Sequence, residues 1–298
     1  MKWGVIGTGA ICNDFTLALK KSPKAVLHAV ASRTQASADA FKQEHGFAKA
    51  YPSYEAMVAD PEVEIVYIAT PHSFHCESIL MCLDAGKHVL SEKPMVVNAR
   101  QAEQCIAKAK EKGLFLMEGM WTRFFPVARA IKQAIAAGAI GKVVSMTASL
   151  GFKSEPHFNP RLFRPELAGG ALFDVGIYPA LWISMILGPP DTARVTARAK
   201  MTESGVDSQT FATFEYEGGA PSLSKAPSWQ RHSSLPWPPK GREHSAASDY
   251  ATHLVRASRQ AAQSPVGGCG AVLRPDRSFR FLRPSVASLY ESRGQPEP

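Results

Sequence analysis

Short apolar runs alternate with amphipathic stretches over the first 120 residues of this 298-residue chain. Such runs are typical of strands that are buried on both faces of a parallel sheet. They lie at Trp3–Ile6, Val26–Ala31, Ile65–Ala69, His88–Leu90 and Leu114–Met117, with helical patterns between them at about 10–20, 35–45, 53–59, 73–86 and 98–112. The alternation predicts an α/β domain over residues 1–121, built on a doubly wound parallel sheet with right-handed crossovers.

The pattern changes after residue 121. A helical stretch at about 126–138 is followed by strand-like alternation at 142–152, a polar loop, and an apolar helical stretch at about 171–187. Two further strand-like runs follow at about 192–203 and 207–216. This order predicts a second, α+β domain over residues 122–219, on a mostly antiparallel sheet.

The segment 220–298 differs from both domains, because it is rich in proline, serine and arginine and has few apolar periods. Proline is confined to strand ends, edges and bulges, so a run containing Pro221, Pro227, Pro236, Pro238 and Pro239 predicts no regular sheet. The segment is interpreted either as a disordered tail or as an altered reading frame or alternative terminal exon, and we favour the second interpretation because the pattern stops in mid-strand. On either interpretation, the second domain is truncated or altered after about residue 219.

Charge and composition narrow the class of protein. Most of the net charge of +8 lies beyond Gly219, with no basic amphipathic helix and no nucleic-acid-reading motif, which argues against a nucleic-acid partner. The five cysteines form no CxxC pair, which suits a reducing compartment. The apolar run Ala171–Leu187 contains Asp174 and is shorter than a membrane span, and the first residues lack the pattern of a signal peptide. We therefore expect a cytoplasmic protein with no membrane partner.

Gly7-Thr8-Gly9-Ala10-Ile11-Cys12 follows the first strand and opens the first helix. A glycine-rich turn at this place lets backbone N–H groups and the helix N-terminus bind a pyrophosphate. Cys12 replaces the third glycine of the usual fingerprint, and cysteine is small enough to be buried there. The alternative is an ordinary glycine turn, but the position in a first strand–helix unit favours a dinucleotide site in a Rossmann domain.

Ser32-Arg33-Thr34 ends the second strand, where an NAD enzyme would carry Asp or Glu for the ribose 2′-hydroxyl. An arginine with two hydroxyls favours a 2′-phosphate instead, because a guanidinium binds it in bidentate fashion and a carboxylate would repel it. This predicts NADP as the cofactor. The alternative is a solvated arginine with Thr34 as a helix N-cap, and Thr34 is compatible with both roles.

The loop Ala69–His75 follows a third strand and is interpreted either as a cofactor-contacting loop or as a polar turn that caps a helix through Ser73. His72 and His75 are accompanied by no carboxylate or thiolate set with zinc-ligand spacing, so no metal site is expected.

Glu92-Lys93-Pro94 follows the fourth strand. A lysine beside a cationic nicotinamide has its ammonium form disfavoured, which suits proton shuttling or hydrogen bonding to a hydroxyl. Pro94 is a residue that can fix the turn as a cis peptide. The alternative is a solvated Glu–Lys pair.

The run Gly169–Tyr178 opens the apolar helix and places Asp174 and Tyr178 four residues apart, on one helix face. A buried carboxylate and a buried phenol both need partners, which an active site would supply. The alternative is a carboxylate stabilised by the helix dipole beside a packed tyrosine.

Together these motifs, with Met120-Trp121-Thr122-Arg123-Phe124-Phe125-Pro126, resemble the glucose–fructose oxidoreductase and inositol dehydrogenase (Gfo/Idh/MocA) family. The resemblance covers about the first three quarters of the chain. Many relatives carry histidine at the position of Tyr178, whereas the branch of dihydrodiol and D-xylose dehydrogenases carries tyrosine, as here. The family implies a Rossmann domain followed by an α/β domain whose open sheet commonly forms a homodimer, and an altered segment after residue 219 would remove part of that dimer face.

The resemblance also implies roles. Tyr178 is the expected general acid/base, Lys93 its electrostatic helper and substrate anchor, and Asp174 a residue that bonds the substrate or orients Lys93. Trp121 and Arg123 would line the nicotinamide end. The full set of expected cofactor-binding residues is Gly7, Thr8, Gly9, Ala10, Ile11, Ser32, Arg33, Thr34, Thr70, Pro71, His75, Glu92, Lys93, Trp121 and Arg123.

The reaction implied by the resemblance is transfer of hydride to NADP⁺ from a hydroxyl-bearing carbon. The substrate would be a trans-dihydrodiol, giving a catechol, or an aldopentose such as D-xylose, giving the lactone. The alternatives are a regulator that binds NADP(H) without turnover and an inactive isoform. A pair of proton-transferring side chains, Lys93 and Tyr178, counts against a regulator, because a sensor needs no proton relay.

Overall fold

A computed structural model describes residues 1–189 and 194–216 and the backbone of five further strands between residues 222 and 292. The chain divides into two compact units. One contains Met1–Met120 and Glu166–Gly169, and the other contains Trp121–Pro165 and Gly170–Pro298. Each unit has its own sheet, and each is described separately below.

The first unit is a six-stranded parallel sheet with helices between the strands. Its strands are β1 (Lys2–Ile6), β2 (Val26–Ala31), β3 (Lys49–Tyr51), β4 (Ile65–Ile68), β5 (His88–Ser91) and β6 (Leu116–Glu118), and its helices are α1 (Ala10–Lys20), α2 (Gln35–His45), α3 (Tyr54–Val58), α4 (His75–Asp84) and α5 (Ala99–Lys112). The strand order is β3-β2-β1-β4-β5-β6, and every pair is parallel. This is the strand order of a dinucleotide-binding Rossmann sheet, so the predicted α/β architecture is confirmed.

Strand alternation gives this sheet two cores. Val5, Val30 and Tyr67 belong to the core on one face, whereas Ile6 and Ile68 belong to the core on the other. Neighbouring residues of a strand point to opposite faces, so a strand that is covered by helices on both sides must be apolar throughout. This explains why the strands appear in the sequence as continuous apolar runs.

Local signals set the ends of the longer helices. The side chains of Thr34 and Asn98 accept hydrogen bonds from Ser37 N and Gln101 N and so cap α2 and α5. Both helices end at a glycine in the left-handed region, with φ of 78° at Gly46 and 64° at Gly113. Strand β3, by contrast, is a three-residue edge strand with partly exposed side chains, and the sequence pattern did not predict it.

The second unit is built on a mixed, mostly antiparallel sheet. Its described elements are α6 (Pro126–Ala136), β7 (Lys142–Val143), β8 (Thr147–Ser149), α7 (Ile177–Leu187), β9 (Val195–Met201), β10 (Asp207–Phe214), β11 (Ser222–Ala226), β12 (Val255–Arg256), β13 (Gly270–Leu273), β14 (Phe279–Leu282) and β15 (Glu291–Ser292). The main sheet has the order β12-β8-β11-β10-β9, with only β8 and β11 parallel; β13 pairs with β14, and β15 with β7. The predicted α+β class is confirmed.

Helices α6 and α7 cover this sheet. Ala128 of α6 and Trp182 and Ile183 of α7 form a buried cluster with Met146 and Ala148. The run predicted as one strand at 142–152 is two short strands, β7 and β8. The polar loop contains two 3₁₀ turns, at Pro160–Phe163 and Pro165–Leu167.

The apolar helix begins differently from the prediction. A π-helical turn at Leu172–Gly176 precedes α7, and Pro179 lies in the first turn of α7. Proline has no N–H to give to a carbonyl of the preceding turn, and a widened turn relieves the crowding that its ring causes. The whole helical run, Pro165–Leu187, has 23 residues, which is enough to cross a membrane by length and composition, as the core helix of a soluble protein also can be. Its inward residues, including Leu181, Trp182 and Ile183, are buried inside the unit.

Strand β11 lies beyond residue 219, where no element was predicted. It occupies the centre of the five-stranded sheet, between β8 and β10. Pro221 and Pro227 stand immediately outside its two ends, which agrees with the confinement of proline to strand boundaries. The second sheet therefore continues past the predicted point of truncation. Most of the proline-rich segment 227–298, and with it the predicted disorder or altered frame, lies outside the described residues.

Candidate active site

The glycine turn after β1 has the geometry of a phosphate-binding loop. Gly7 has φ of 109°, and an added Cβ would lie 3.1 Å from both Ala69 O and Cys12 Sγ. Gly9 is the N-cap of α1 and has open space around its Cα. Cys12 is fully buried, and burial raises the pKa of its thiol to about 12, so it serves as a small packing residue rather than as a reactive thiol.

The first turn of α1 is suited to an anion. It contains no acidic residue, and Gly9 has no side chain with which to cap the helix N–H groups. The hydroxyls of Thr70 and Ser73, in the loop after β4, are buried and have no hydrogen-bond partner among the described residues. Open N–H groups and unpaired buried hydroxyls at the carboxyl ends of β1 and β4 fit a bound dinucleotide.

Ser32, Arg33 and Thr34 follow β2 at the same edge of the sheet. The side chains of Arg33 and Thr34 are exposed, and that of Ser32 is half-buried. Thr34 Oγ1 accepts from Ser37 N at 3.3 Å and donates to Ser37 Oγ at 2.9 Å, so the N-cap role considered from the sequence is confirmed. Arg33 and Ser32 beside it carry further donor groups that suit a phosphate.

His75 supports the loop from behind. Its ring is fully buried, with Nδ1 2.8 Å from Pro94 O and Nε2 2.8 Å from Thr70 O. Burial lowers the pKa of this imidazole, while the two carbonyls act in the opposite direction. Both ring nitrogens face protein carbonyls, so His75 links the Thr70 loop to the Lys93–Pro94 turn, and its contact with a cofactor stays a prediction.

The structure also decides the alternative role of Ser73 as a helix cap. Pro71 precedes a 3₁₀ turn, His72–Phe74, and α4 has no side-chain cap, so Ser73 does not cap it. His72 Nδ1 lies 2.9 Å from the carbonyl oxygen of Ala168, a non-glycine residue with φ of 52°. This contact holds the backbone immediately before the Gly169-Gly170 pair.

The Glu92–Lys93–Pro94 turn follows β5, and the Lys93–Pro94 peptide is cis, the conformation that the sequence allows there. Glu92 accepts from Tyr67 Oη at 2.6 Å through one carboxylate oxygen and from Lys93 N at 3.1 Å through the other. Burial raises the pKa of Glu92. Glu92 and Tyr67 thus support the Lys93 backbone, and a cofactor contact from Glu92 stays a prediction.

In the second unit, Asp174 lies inside the π-helical turn and is 6% exposed. Its Oδ1 accepts from Arg161 Nη2 at 2.9 Å, forming an ion pair. Arg161 comes from the first 3₁₀ turn of the polar loop, a segment whose sequence gave no chemical signal. π-helical turns occur often at functional sites because they redirect the side chains of one turn.

Tyr178 is 3% exposed, and its hydroxyl oxygen accepts a hydrogen bond from Trp121 Nε1 at 3.1 Å. Trp121 begins a 3₁₀ turn, Trp121–Phe124, in which Arg123 is exposed. An N–H aimed at a phenol oxygen stabilises negative charge on that oxygen after the proton has left. The pair can therefore exchange a proton with a bound hydroxyl.

The expected residues thus fall into two groups. The first unit holds the glycine turn, Arg33, the Thr70 loop and Lys93, all at the carboxyl ends of its strands. The second unit joins Trp121 to Tyr178 and Arg161 to Asp174. The sequence patterns did not predict three of these contacts: those made by Arg161, by Tyr67 and by the Trp121 N–H to Tyr178.

A further ionisable cluster lies near the amino ends of the strands. His28 Nε2 and Lys49 Nζ each lie 3.0 Å from Asp60 Oδ2, Tyr51 Oη donates to the same oxygen at 2.7 Å, and Lys49 Nζ is 2.8 Å from Glu62 Oε2. Burial raises the pKa of Asp60, but hydrogen bonds from Glu62 N, Tyr51, Lys49 and His28 outweigh it and hold that pKa well below its usual range. His28, Asp60 and Glu62 are close enough to bind a metal ion, but the Lys49 ammonium already pairs with both carboxylates.

Comparisons with known proteins agree with this geometry. A family model described as an oxidoreductase family with an NAD-binding Rossmann fold matches residues 1–120, and a model of the GFO/IDH/MocA C-terminal domain matches residues 128–229. The 3-ketoreductase KijD10 from Actinomadura kijaniata, solved with NADP and TDP-benzene, is 30% identical with a TM-score of 0.71, over 77% of this chain and 70% of that enzyme. The chain belongs to the Gfo/Idh/MocA oxidoreductase family.

Within this family, the chain is similar to proteins named trans-1,2-dihydrobenzene-1,2-diol dehydrogenase. The mouse (Mus musculus) protein is 41% identical over 221 residues, which are 74% of this chain and 66% of the mouse protein. The human (Homo sapiens) protein is 39% identical over 220 residues, covering 73% of this chain and 65% of the human protein. The matched region therefore spans slightly less than two thirds of these relatives. A levoglucosan dehydrogenase solved with NADH, 22% identical with a TM-score of 0.72 over 78% of this chain and 68% of that one, has the same fold.

Proposed function

We propose that this chain is an NADP-dependent dehydrogenase that oxidises a hydroxyl of a trans-dihydrodiol to give a catechol. An aldopentose such as D-xylose, oxidised to its lactone, is the second substrate class we propose. The observation that carries the proposal is the hydrogen bond of 3.1 Å from Trp121 Nε1 to the buried Tyr178 hydroxyl, in a protein that belongs to an oxidoreductase family. The name shared by the relatives at about 40% identity supports the dihydrodiol as substrate.

The choice of NADP rests on the end of β2. No carboxylate is present among residues 32–34 to accept from a ribose 2′-hydroxyl, and Arg33 is exposed there. A guanidinium at this place favours a 2′-phosphate. The NADP bound to the 3-ketoreductase supports the same choice, since that enzyme is 30% identical to this chain.

When bound, the nicotinamide ring supplies the hydride acceptor at its C4 atom. Tyr178 is proposed to take the proton of the substrate hydroxyl as the adjacent C–H bond gives up its hydride, and to return that proton in the reverse reaction. The Trp121 N–H stabilises the oxygen that exchanges this proton. Lys93 is proposed to hydrogen-bond the same substrate hydroxyl and to stabilise the negative charge that develops on its oxygen.

Asp174 is proposed to fix the substrate, while the ion pair with Arg161 orients its carboxylate. Burying a carboxylate without a partner costs free energy, and the ion pair of 2.9 Å between Arg161 Nη2 and Asp174 Oδ1 offsets this cost. The reacting hydroxyl would then be positioned by Asp174 and Tyr178 from the same helix start, which reduces the entropy lost in reaching the transition state.

The cofactor is tested by thermal melting of the full chain with NADPH, with NADH and with neither. We expect a larger rise in melting temperature with NADPH, because only a ligand that binds the folded state stabilises it. Arg33→Ala should lower the NADPH-induced rise and leave that with NADH unchanged. Equal rises in melting temperature with NADPH and NADH would contradict the proposed preference for NADP.

The reaction is tested by following NADPH formation with trans-1,2-dihydrobenzene-1,2-diol and with D-xylose. Tyr178→Phe and Lys93→Ala should each lower kcat by about 10²- to 10⁴-fold, the range for loss of general acid–base catalysis, with cofactor-induced stabilisation retained. Tyr216→Phe is the matched control, since Tyr216 Oη donates to Gly188 O and has no proposed role. Cofactor binding without turnover of any diol or sugar would favour a regulator, and normal turnover by Tyr178→Phe would refute its assigned role.

A further inference from the structure

The carboxylate of Asp207, the first residue of β10, lies against the start of the helical run that carries Asp174 and Tyr178. Asp207 Oδ2 accepts from Leu172 N at 2.8 Å, and Leu172 is the first residue of the π-helical turn. The same oxygen accepts from Thr210 Oγ1 at 2.7 Å, and Thr210 is 8% exposed. Asp207 therefore caps this helical run from a neighbouring strand, and Thr210 fixes the orientation of the cap.

Gly170 is shaped to admit this carboxylate. It has φ of 102°, and an added Cβ would collide with Asp207 Oδ1 and lie 3.3 Å from Asp207 Cγ. A residue with a side chain would therefore displace the carboxylate from Leu172 N, besides being strained at this φ. The position of the Asp207 carboxylate therefore depends on glycine at residue 170.

Gly170 also connects Asp207 to the other groups of the site. Gly170 N donates to Leu162 O at 2.8 Å, next to Arg161 in the 3₁₀ turn, and Gly170 O accepts from Asp174 N at 3.3 Å. The backbone of this single residue thus joins the turn that carries Arg161 to the turn that carries Asp174. A shift of Gly170 would change the Arg161–Asp174 pair and the direction in which Tyr178 leaves the helix.

We infer that Asp207 is a positioning residue for Tyr178 and Asp174, acting by capping Leu172 and fixing Gly170. The inference deepens the proposed function and rests on it for its catalytic consequence. No sequence motif pointed to Asp207, which lies 29 residues after Tyr178, in strand β10. It takes no part in proton transfer and touches the site only through the backbone.

The Trp121 indole provides a direct readout, because its N–H points at the Tyr178 oxygen. In the full chain labelled with [¹⁵N]tryptophan, the Trp121 indole resonance is assigned with Trp121→Phe, and Tyr178→Phe gives its position without the hydrogen bond. Asp207→Ala should move this resonance towards the Tyr178→Phe position and leave that of Trp3, in the first unit, unchanged. It should also lower kcat by about tenfold or more, with KM changed less, since small misplacements of catalytic groups act on the transition state.

Asp207→Asn is the conservative variant, because its amide oxygen can still accept from Leu172 N. It should restore most of the indole position and of kcat. Asn98→Ala is the matched control, since it removes a cap of the same kind, with Gln101 N at 3.0 Å, from α5 of the first unit. It should lower the melting temperature without moving the Trp121 resonance.

An Asp207→Ala protein that melts cooperatively with wild-type indole position and kcat would overturn the inference. If that variant does not fold, Thr210→Val is the deciding variant, because it removes one hydrogen bond to the Asp207 carboxylate. It should move the Trp121 resonance in the same direction as Asp207→Ala, but by a smaller amount. No movement of the resonance would overturn the inference. If the wild-type chain shows no turnover, the proposed function fails, whereas the indole shift still tests whether Asp207 positions Tyr178.

Discussion

Tyr178 and Tyr67 are both buried phenols, yet their partners give them different chemical roles. Tyr67 donates to the Glu92 carboxylate, and burial together with the charge of Glu92 raises its pKa. Tyr178 accepts from an indole N–H, which stabilises negative charge on the phenol oxygen. A donor to the phenol oxygen thus distinguishes Tyr178 from Tyr67, whose hydroxyl proton is bound to a carboxylate.

Residue-level prediction from the sequence succeeded where the chemistry is local. The buried small side chain of Cys12 and the cis Lys93–Pro94 peptide both depend on immediate neighbours. The hydrogen bonds that His75 and Glu92 make to other protein groups were not predicted, because a sequence shows that a polar residue lies in a loop but not which side of the loop it faces. Arg161 could not be found at all, since its partner is 13 residues away and reached by an irregular turn.

His45 provides a residue-scale prediction on pH. Its ring is buried beside Phe41, with centroids 4.2 Å apart, and burial lowers its pKa, opposed by Glu44 and reinforced by Lys20. The pKa of His45 in the unfolded chain is about 6.5. Below this pH the unfolded chain binds a proton at His45 more readily than the folded chain does. The free energy of unfolding is therefore unaffected by His45 above this pH and decreases below it. His45→Phe should remove this loss and raise the melting temperature at pH 5.5, relative to wild type, by about 2–4 °C.

The measurement for His45 is the difference in melting temperature between variant and wild type from pH 7.5 to pH 5.5. His75 titrates in both proteins and cancels from the difference. A constant difference across this range would show that protonation of His45 does not limit stability at low pH.

At the scale of elements, the long and strongly patterned segments were predictable and the short ones were not. The strands of the parallel sheet appear as apolar runs because both faces are covered. Strand β3 has three residues and an exposed edge, so its sequence carries little pattern. The π-helical turn before α7 could not be predicted from period, since Leu172–Tyr178 has the apolar content of a regular helix.

The junction of Gly170 with Asp207 gives an element-scale prediction. Gly170→Ala should destabilise the protein by at least about 1–3 kcal/mol from backbone strain alone, and further because the new Cβ collides with the carboxylate. In the Asp207→Ala background the collision is absent. The cost of Gly170→Ala, measured by urea unfolding, should therefore be smaller in that background than in wild type.

The control for this cycle is Gly205→Ala, because Gly205 has φ of 86° and open space around its Cα. It should show strain without coupling to Asp207. Costs for Gly170→Ala that are the same in both backgrounds would contradict the proposed collision.

At the scale of the molecule, β11 continues the second sheet past residue 219. It is the central strand of its sheet, and the family match extends to residue 229, past the point at which the sequence pattern was judged to stop. The composition does change after Gly219, but the sequence pattern missed a strand of five residues that lies between Pro221 and Pro227.

A whole-molecule prediction follows from this position. A chain that ends at residue 219 lacks β11 and would leave β8 and β10 with unpaired edges, which favours aggregation. A chain that ends at residue 229 keeps the strand. We expect a cooperative melt from the longer chain and aggregation or a broad transition from the shorter one, measured by calorimetry and light scattering. Identical melting of the two would show that β11 contributes nothing to the domain.

The central claim is that this chain transfers hydride from a hydroxyl-bearing carbon to a nicotinamide cofactor. The most direct test uses trans-1,2-dihydrobenzene-1,2-diol that carries deuterium on its hydroxyl-bearing carbons, with NADP⁺ and the full chain in a single turnover. We predict NADPH that is heavier by one deuterium, formed by the wild type and not by Tyr178→Phe. Saturating NADP⁺ binding with no NADPH formed from this diol or from similarly labelled D-xylose, or NADPH that carries no deuterium, would contradict the claim.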